Sequence, residues 1–260
     1  MMPIEASANE TLQKIDRSAK PRHGSGGFSI EILFPGMAQG NGDSGIGTIG
    51  RIDDANIAPG TLVRMHPHQD DEILTYLRRG KVMHKDTVGQ VDWISPTRLM
   101  LMGAGREFQH EEWVDPAGGQ LRALQIFLRP SVSGLEPIVQ FHNFDAPVSY
   151  GAWRRIAGPE AEAPLRVRSA SWVEDGQFEK GATVTFPRPA IERPTRLLYV
   201  FNGNVSVGGI NLTTGDSAIL VATAHELEIL ADSELVVFTT DASAPAFTGG
   251  MFSGNNLAPH

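Results

Sequence analysis

Apolar positions along this chain recur at every second residue over short runs, and the runs stop at glycine or proline. Phe28-Ser29-Ile30-Glu31-Ile32-Leu33-Phe34 alternates and then meets Pro35-Gly36. Period-two alternation marks a strand with one buried face. Similar runs lie at 47–52, Leu62–His68, 72–77, Val82–Asp86, 98–102 and Leu121–Leu128. Pro59-Gly60, Arg79-Gly80, Val88-Gly89, Ser95-Pro96, Gly103 to Gly105 and Ala117 to Gly119 separate them. Short strands with turn signals at roughly 8–12-residue spacing predict an all-β sandwich or barrel over 28–130. No long amphipathic helix is predicted.

Residues 1–27 are polar and end in Gly24-Ser25-Gly26-Gly27. They read as an N-terminal arm with limited structure, available to cover a barrel mouth or to exchange between protomers. Residues 131–164 carry scattered prolines and little periodicity, the pattern of an inter-domain connection. The β pattern resumes over 165–260. There, 197–201 leads into Asn202-Gly203-Asn204 and then Val205-Ser206-Val207. Asn-Gly between two apolar runs predicts a hairpin. Strands at Ser217–Val221, 226–230 and 235–239 follow, so the second half reads as a weak copy of the first.

Composition narrows the function classes. With 260 residues, 41% of them hydrophobic, two small cores are affordable. The formal charge of -8, with no clustered lysines and arginines, argues against direct nucleic-acid binding. There is no cysteine. Disulfides, thiolate metal sites and a cysteine nucleophile are therefore excluded, and any metal must be held by His, Asp, Glu or water. No apolar run reaches ~18 residues and no signal-peptide pattern opens the chain, so a soluble cytoplasmic protein is expected, with no membrane partner.

The candidate chemistry lies in two short segments. In His66-Pro67-His68 the two imidazoles project from one face of a strand, and Glu72 shares their parity. Pro67 cannot donate to a ladder, so this strand is expected at an edge or in an irregular stretch. In the second segment His110 and Glu112 are again two apart, after the glycines at 103 and 105. Either motif alone is a weak signal for metal, since paired histidines are common on surfaces. Together, in a β-rich chain, His66, His68, His110 and Glu112 offer three nitrogens and one carboxylate. That sulfur-free set suits Fe(II), Mn, Ni, Cu or Zn, and it leaves coordination positions open for a small molecule. Glu72 and His84 read as groups that support the ligands. His225 reads as structural, Lys85 and Asp86 as a solvated turn, Trp93 and Trp113 as packing, and Arg78 and Arg79 as a solvated hairpin tip.

At these residues the chain resembles a known family. His66-Pro67-His68, Glu72-Ile73-Leu74-Thr75-Tyr76 and His84-Lys85-Asp86-Thr87-Val88-Gly89 are similar to the signature of the pirin family, within the cupin superfamily. Ile57-Ala58-Pro59-Gly60 upstream and Ala104-Gly105-Arg106 to His110-Glu111-Glu112 downstream match it too. The resemblance covers about residues 45–115. It implies two cupin-type (double-stranded β-helix) barrels, the first holding one divalent metal ion, iron foremost, on His66, His68, His110 and Glu112. The second half has no His-x-His, which implies a lost site there. Two departures stand out. Gln69-Asp70-Asp71 follows His-Pro-His where the family often has Arg-Gly-Phe, and Glu107 replaces a glycine. With Glu111 they predict an acidic entrance, unfavourable to an anionic substrate.

The resemblance implies a metal-dependent dioxygenase acting on a flavonol-like (quercetin-type) or other enolic small molecule, with Glu112 alternating between ligand and catalytic base. The alternative is a metal- or redox-responsive regulatory protein that binds a protein partner without turnover. A barrel with vestigial histidines is the third possibility.

Overall fold

The computed structural model describes residues 11–189, 191–221 and 225–257. Twelve strands make up the first part of the described chain: β1 (Thr11–Ile15), β2 (Arg22–His23), β3 (Phe28–Leu33), β4 (Ile49–Ile57), β5 (Leu62–His68), β6 (Glu72–Arg79), β7 (Val82–Asp86), β8 (Val91–Ile94), β9 (Arg98–Gly103), β10 (Phe108–Val114), β11 (Leu121–Leu128) and β12 (Ile138–Asn143). Eight follow: β13 (Arg154–Gly158), β14 (Leu165–Arg166), β15 (Ser171–Phe178), β16 (Thr183–Val184), β17 (Pro194–Val207), β18 (Ile210–Thr213), β19 (Ser217–Val221) and β20 (Leu227–Asp241). The helical segments among the described residues are two short 3-10 turns, at Arg17–Ala19 and Pro35–Ala38. The fold is all-β, as the alternation predicts.

The first barrel faces a seven-stranded sheet, ordered β12-β9-β6-β11-β4-β3-β2, against a four-stranded sheet, ordered β5-β10-β7-β8. The second barrel is one curled sheet with the path β1-β19-β17-β20-β15-β13-β14. The central order β9-β6-β11-β4 of the first half reappears as β19-β17-β20-β15 in the second. These two strand sets pack together, and alternation assigns each residue to a side. Ile52, Leu74, Leu124 and Ile126 share one apolar cluster with Leu197, Tyr199, Ile219, Val236 and Phe238. Their neighbours Leu198, Val200, Ala218, Leu220, Leu235 and Val237 fill the interior of the second barrel instead. The interface also carries two matching polar bonds. Tyr76 Oη donates to Asp175 Oδ2 at 3.0 Å and Tyr199 Oη donates to Asp54 Oδ2 at 2.7 Å. All four residues are buried, so each bond satisfies groups cut off from water.

Three expectations change. The described part of the N-terminal arm is ordered: Thr11 to Ile15 pair with Val221 to Ser217, and Arg22-His23 pair with Glu31-Ile30. Leu12 and Ile15 each pack against a core, which is what holds this polar segment down. Within 131–164, β12 adds an edge to the first sheet and β13 pairs with β15. The Asn202-Gly203 hairpin is absent. β17 runs straight through it, with register shifts against β20 between Val200 and Val205. Gly203 has φ 111, and a Cβ there would lie 2.6 Å from Asp232 O. The positive φ is used for a bulge at a barrel corner, and the hairpin turn comes later, at Gly208-Gly209.

Removing either interface hydroxyl should loosen the pair of barrels. Tyr76→Phe and Tyr199→Phe are each expected to lower stability by about 1 kcal/mol in urea titrations. A change within error would show that these bonds do not hold the barrels together.

Candidate metal centre

Every candidate ligand sits on the four-stranded sheet. Its edge strand is β5, the position that Pro67 requires. β10 pairs with it so that His110 lies opposite His66 and Phe108 opposite His68. The register then slips, and Glu112 lies opposite Val63 on one side and His84 on the other. This bulge re-aims the side chains that follow it. Two overlapping groups result, each with its donor atoms within 4.8 Å of one another: His66, His68 and His110, and then His84, His110 and Glu112.

Hydrogen-bond partners assign the ring tautomers. His66 Nδ1 donates to Arg64 O at 2.8 Å, which leaves Nε2 with its lone pair. His84 Nε2 donates to Asp86 Oδ2 at 2.7 Å, so His84 Nδ1 accepts from His110 Nδ1 at 3.3 Å. The Asp86–His84 pair thereby bares the lone pair on His110 Nε2. His68 Nε2 lies 3.1 Å from His110 Nε2, while its Nδ1 is 3.5 Å from Asp71 Oδ2. With its proton on Nε2, His68 donates to His110 Nε2; with its proton on Nδ1, toward Asp71, the two rings present converging lone pairs to a cation. Two nitrogens at right angles around an ion, each at about 2.1 Å, stand about 3 Å apart. The donor set therefore fits a divalent metal.

Electrostatics agree. Burial, reinforced by His66, His68 and His84, pushes His110 down to about 2. Burial also lowers His66, and lowers His84 against the opposing pull of Asp86. Neutral imidazoles are the form that binds metal. Burial pushes the Glu112 carboxyl up to about 7, and its Oε1 is buried without a hydrogen-bond partner. Such an orphan acceptor is what a cation or a donated proton would satisfy.

The site opens into a cavity of about 420 Å³ between the two sheets of the first barrel. The opposite wall comes from Phe28, Ile30 and Ile32 on β3, Arg51, Asp53 and Ala55 on β4, and Ala123, Gln125 and Phe127 on β11. Arg51 and Asp53 form a two-pronged pair at 2.7 Å for each bond, with the guanidinium 5.5 Å from the Phe127 ring centre.

The structure redistributes other residues. His84 joins the cluster. Glu72 does not: its Oε1 accepts from Arg168 Nε at 2.7 Å and its Oε2 from Arg168 N at 3.3 Å, which ties the first barrel to the chain entering the second. Asp86 is no solvated turn, being buried and accepting from His84, Val88 N and Gln90 N. Arg78 is buried at its tip by Glu234, at 2.7 Å, while Arg79 stays exposed. Trp93 and Trp113 pack on each other at 6.2 Å. His225 lines a separate groove on the second barrel. The acidic entrance dissolves too. Asp70 and Asp71 are buried and accept backbone N–H groups from Gly134, Phe252 and Ser253, and Glu111 pairs with Lys85. Glu107 alone of this group remains exposed. Asp86 was missed from the sequence, although the strand face it shares with His84 is a signal that could have found it. Phe252, which lines the cavity from the far end of the chain, carried no local signal.

Comparison with known proteins adds the lineage. The pirin family model matches residues 41–128. The Zymomonas mobilis protein ZMO1337 is 31% identical over 192 residues, which cover 73% of this chain and 80% of that one. The chain belongs to the pirin family. The quercetin 2,3-dioxygenase of Escherichia coli K12 is 28% identical over 193 residues, covering 72% of this pirin and 80% of its relative. Among solved structures, bacterial pirin YhhW in complex with nickel(II), from Escherichia coli, superimposes with a TM-score of 0.77 at 22% identity, covering 88% of this pirin and 99% of that chain. A quercetin 2,3-dioxygenase from Acinetobacter baumannii gives 0.71 at 26%, covering 90% and 88%. Both are built as this pirin is, and the family has two cupin barrels.

Glu112 makes a pH prediction for the metal-free protein. Its folded pKa is raised above the unfolded value of 4.5, so its contribution is full below about 4.5 and is lost as pH rises through about 7. Across that window wild type should lose on the order of 2 kcal/mol relative to Glu112→Gln. Parallel stability–pH curves for the two proteins would contradict the assignment.

Proposed function

We propose that this pirin is a metal-dependent dioxygenase acting on an enolic, flavonol-like small molecule. The observation that carries the proposal is the convergence of three imidazoles and an unpartnered carboxylate on one wall of a largely apolar cavity. His66, His68, His110 and Glu112 would hold the ion. Iron is the first assignment; nickel, manganese, copper and zinc suit the same donors, and nickel is the metal named with YhhW. When bound, the ion supplies Lewis-acid and redox chemistry.

The remaining work falls to side chains. Asp86 and His84 keep His110 in the tautomer that presents Nε2. Glu112 Oε1, buried without a hydrogen-bond partner, is the base that takes the proton of a substrate hydroxyl. Phe28, Phe127 and Phe252 offer flat apolar surface to a planar ring and displace water from it. Gln125 and Arg51 provide polar contacts for substrate oxygens.

A second observation favours the regulatory alternative. The sheet that carries the ligands turns an apolar face outward, where Leu62 pairs with Trp113 and Met83 with Trp93. Val91 is 60% exposed on the same face. A surface of this kind suits a protein partner that senses the occupied sheet.

The readings separate by turnover. Protein loaded with iron, nickel, manganese or copper should consume quercetin and dioxygen. Chelation or His66→Ala should abolish this, and Glu112→Gln should slow it about 100-fold or more. No turnover by any loaded form would overturn the dioxygenase proposal and leave metal-dependent partner binding as the function.

A further inference from the structure

The end of the described chain does not stay on the barrel it leaves. β20 closes the second barrel at Asp241, and residues 244–257 then return to the first. Phe247 N donates to Pro130 O at 2.8 Å, Met251 N to Gln69 O at 2.9 Å, and Asn256 N to Ser44 Oγ at 2.8 Å. Arg129, fully buried, donates from Nε to Ser253 O at 2.8 Å while Asp43 neutralises its other end at 2.6 Å. Each bond made by the strap itself links residues more than a hundred positions apart, so the strap is docked by the fold and not by proximity in sequence.

Two contacts carry the strap into the metal centre. The Phe252 ring lies 5.0 Å from the His68 ring and stacks on Phe127 at 5.3 Å. Asp71 is wholly buried between strap and ligand. Its Oδ1 accepts from Ser253 N at 2.8 Å, and both of its oxygens accept from Phe252 N, at 3.1 and 3.2 Å. Its Oδ2 is also the carboxylate oxygen 3.5 Å from His68 Nδ1, a buried nitrogen with no hydrogen-bond partner of its own. A carboxylate takes its orientation from the donors it accepts, and here those donors are backbone N–H groups of the strap.

We propose that the strap is a working part of the metal centre: Phe252 walls the cavity beside His68, and Asp71, held by the strap, is the positioning residue that aims His68 at the ion. The proposal rests on the metal-binding reading of the site but not on turnover. Orienting groups behind a ligand typically change metal affinity by 10–100-fold. Wall and ligand are also coupled, because one backbone segment sets both.

Gly250 supplies a test remote from the ligands. A Cβ there would meet Ser253 Oγ and lie 2.6 Å from Asp70 O and 2.8 Å from Asp71 Oδ1, so Gly250→Val unseats the joint. Cobalt(II) is the probe, with affinity from calorimetry and geometry from its visible absorption bands. Gly250→Val and Asp71→Asn should each weaken cobalt binding by about tenfold or more and shift the bands. Phe252→Ala keeps its backbone donor to Asp71, so it should weaken cobalt binding less than Asp71→Asn does, while the cavity admits a bulkier apolar dye. If Gly250→Val fails to fold, as judged by circular dichroism, Asp71→Asn decides. Wild-type affinity and spectrum in both joint variants would overturn the proposal. Failure of wild type to bind cobalt would overturn it together with the proposed function. Normal cobalt behaviour of wild type, with weakened variants and no quercetin turnover, would sink the dioxygenase reading and leave the strap standing.

Discussion

The structure depends on a sheet buried on both faces. Along β4, β6 and β11, one set of alternate residues packs on the second barrel and the other set faces the metal cavity. Arg51, Asp53 and Ala55 look inward while Ile52 and Asp54 look toward the partner barrel. A register slip of one residue would exchange the two sets and place apolar side chains against polar partners. The second barrel therefore serves the first although no His-x-His pair is found in it. It immobilises the cavity wall that faces the histidines.

The opposite wall is governed by electrostatics. Burial lowers the pKa of His66 and His110, and their tautomers are set by Arg64 O and by the Asp86–His84 pair. Neutral rings with converging lone pairs are poor company for each other in a metal-free barrel. Stability is given up locally for readiness to bind a cation, and the surrounding core makes that tolerable. Glu112 adds to the same tension, as a carboxylate drawn into a site where its charge has no partner.

The strap joins these two walls. Asp71 touches the ligand strand through His68 and the chain end through Phe252 and Ser253. The acidic run after His68 thus gains a physical account. It anchors chain, where the sequence pattern suggested an electrostatic entrance.

Period-two alternation and glycine placement are local properties, so the sequence by itself determined the β class, the two halves and the shared face of His66 with His68 and of His110 with Glu112. His84 reads as a supporting group from its place in the hairpin partner strand, and the parity it shares with Asp86 would have pointed to Asp86 as well. Parity could not say which strands become neighbours. Glu72 has the correct parity and yet binds Arg168, because β6 lies in the seven-stranded sheet and the ligands lie in the four-stranded one. The Asn202-Gly203 bulge, the pairing of β1 with β19 and the arrival of Phe252 at His68 were likewise decided only by tertiary structure. Each depends on contacts between distant segments, whose energies come from burial and hydrogen bonding after the chain has closed on itself, and no local pattern encodes them.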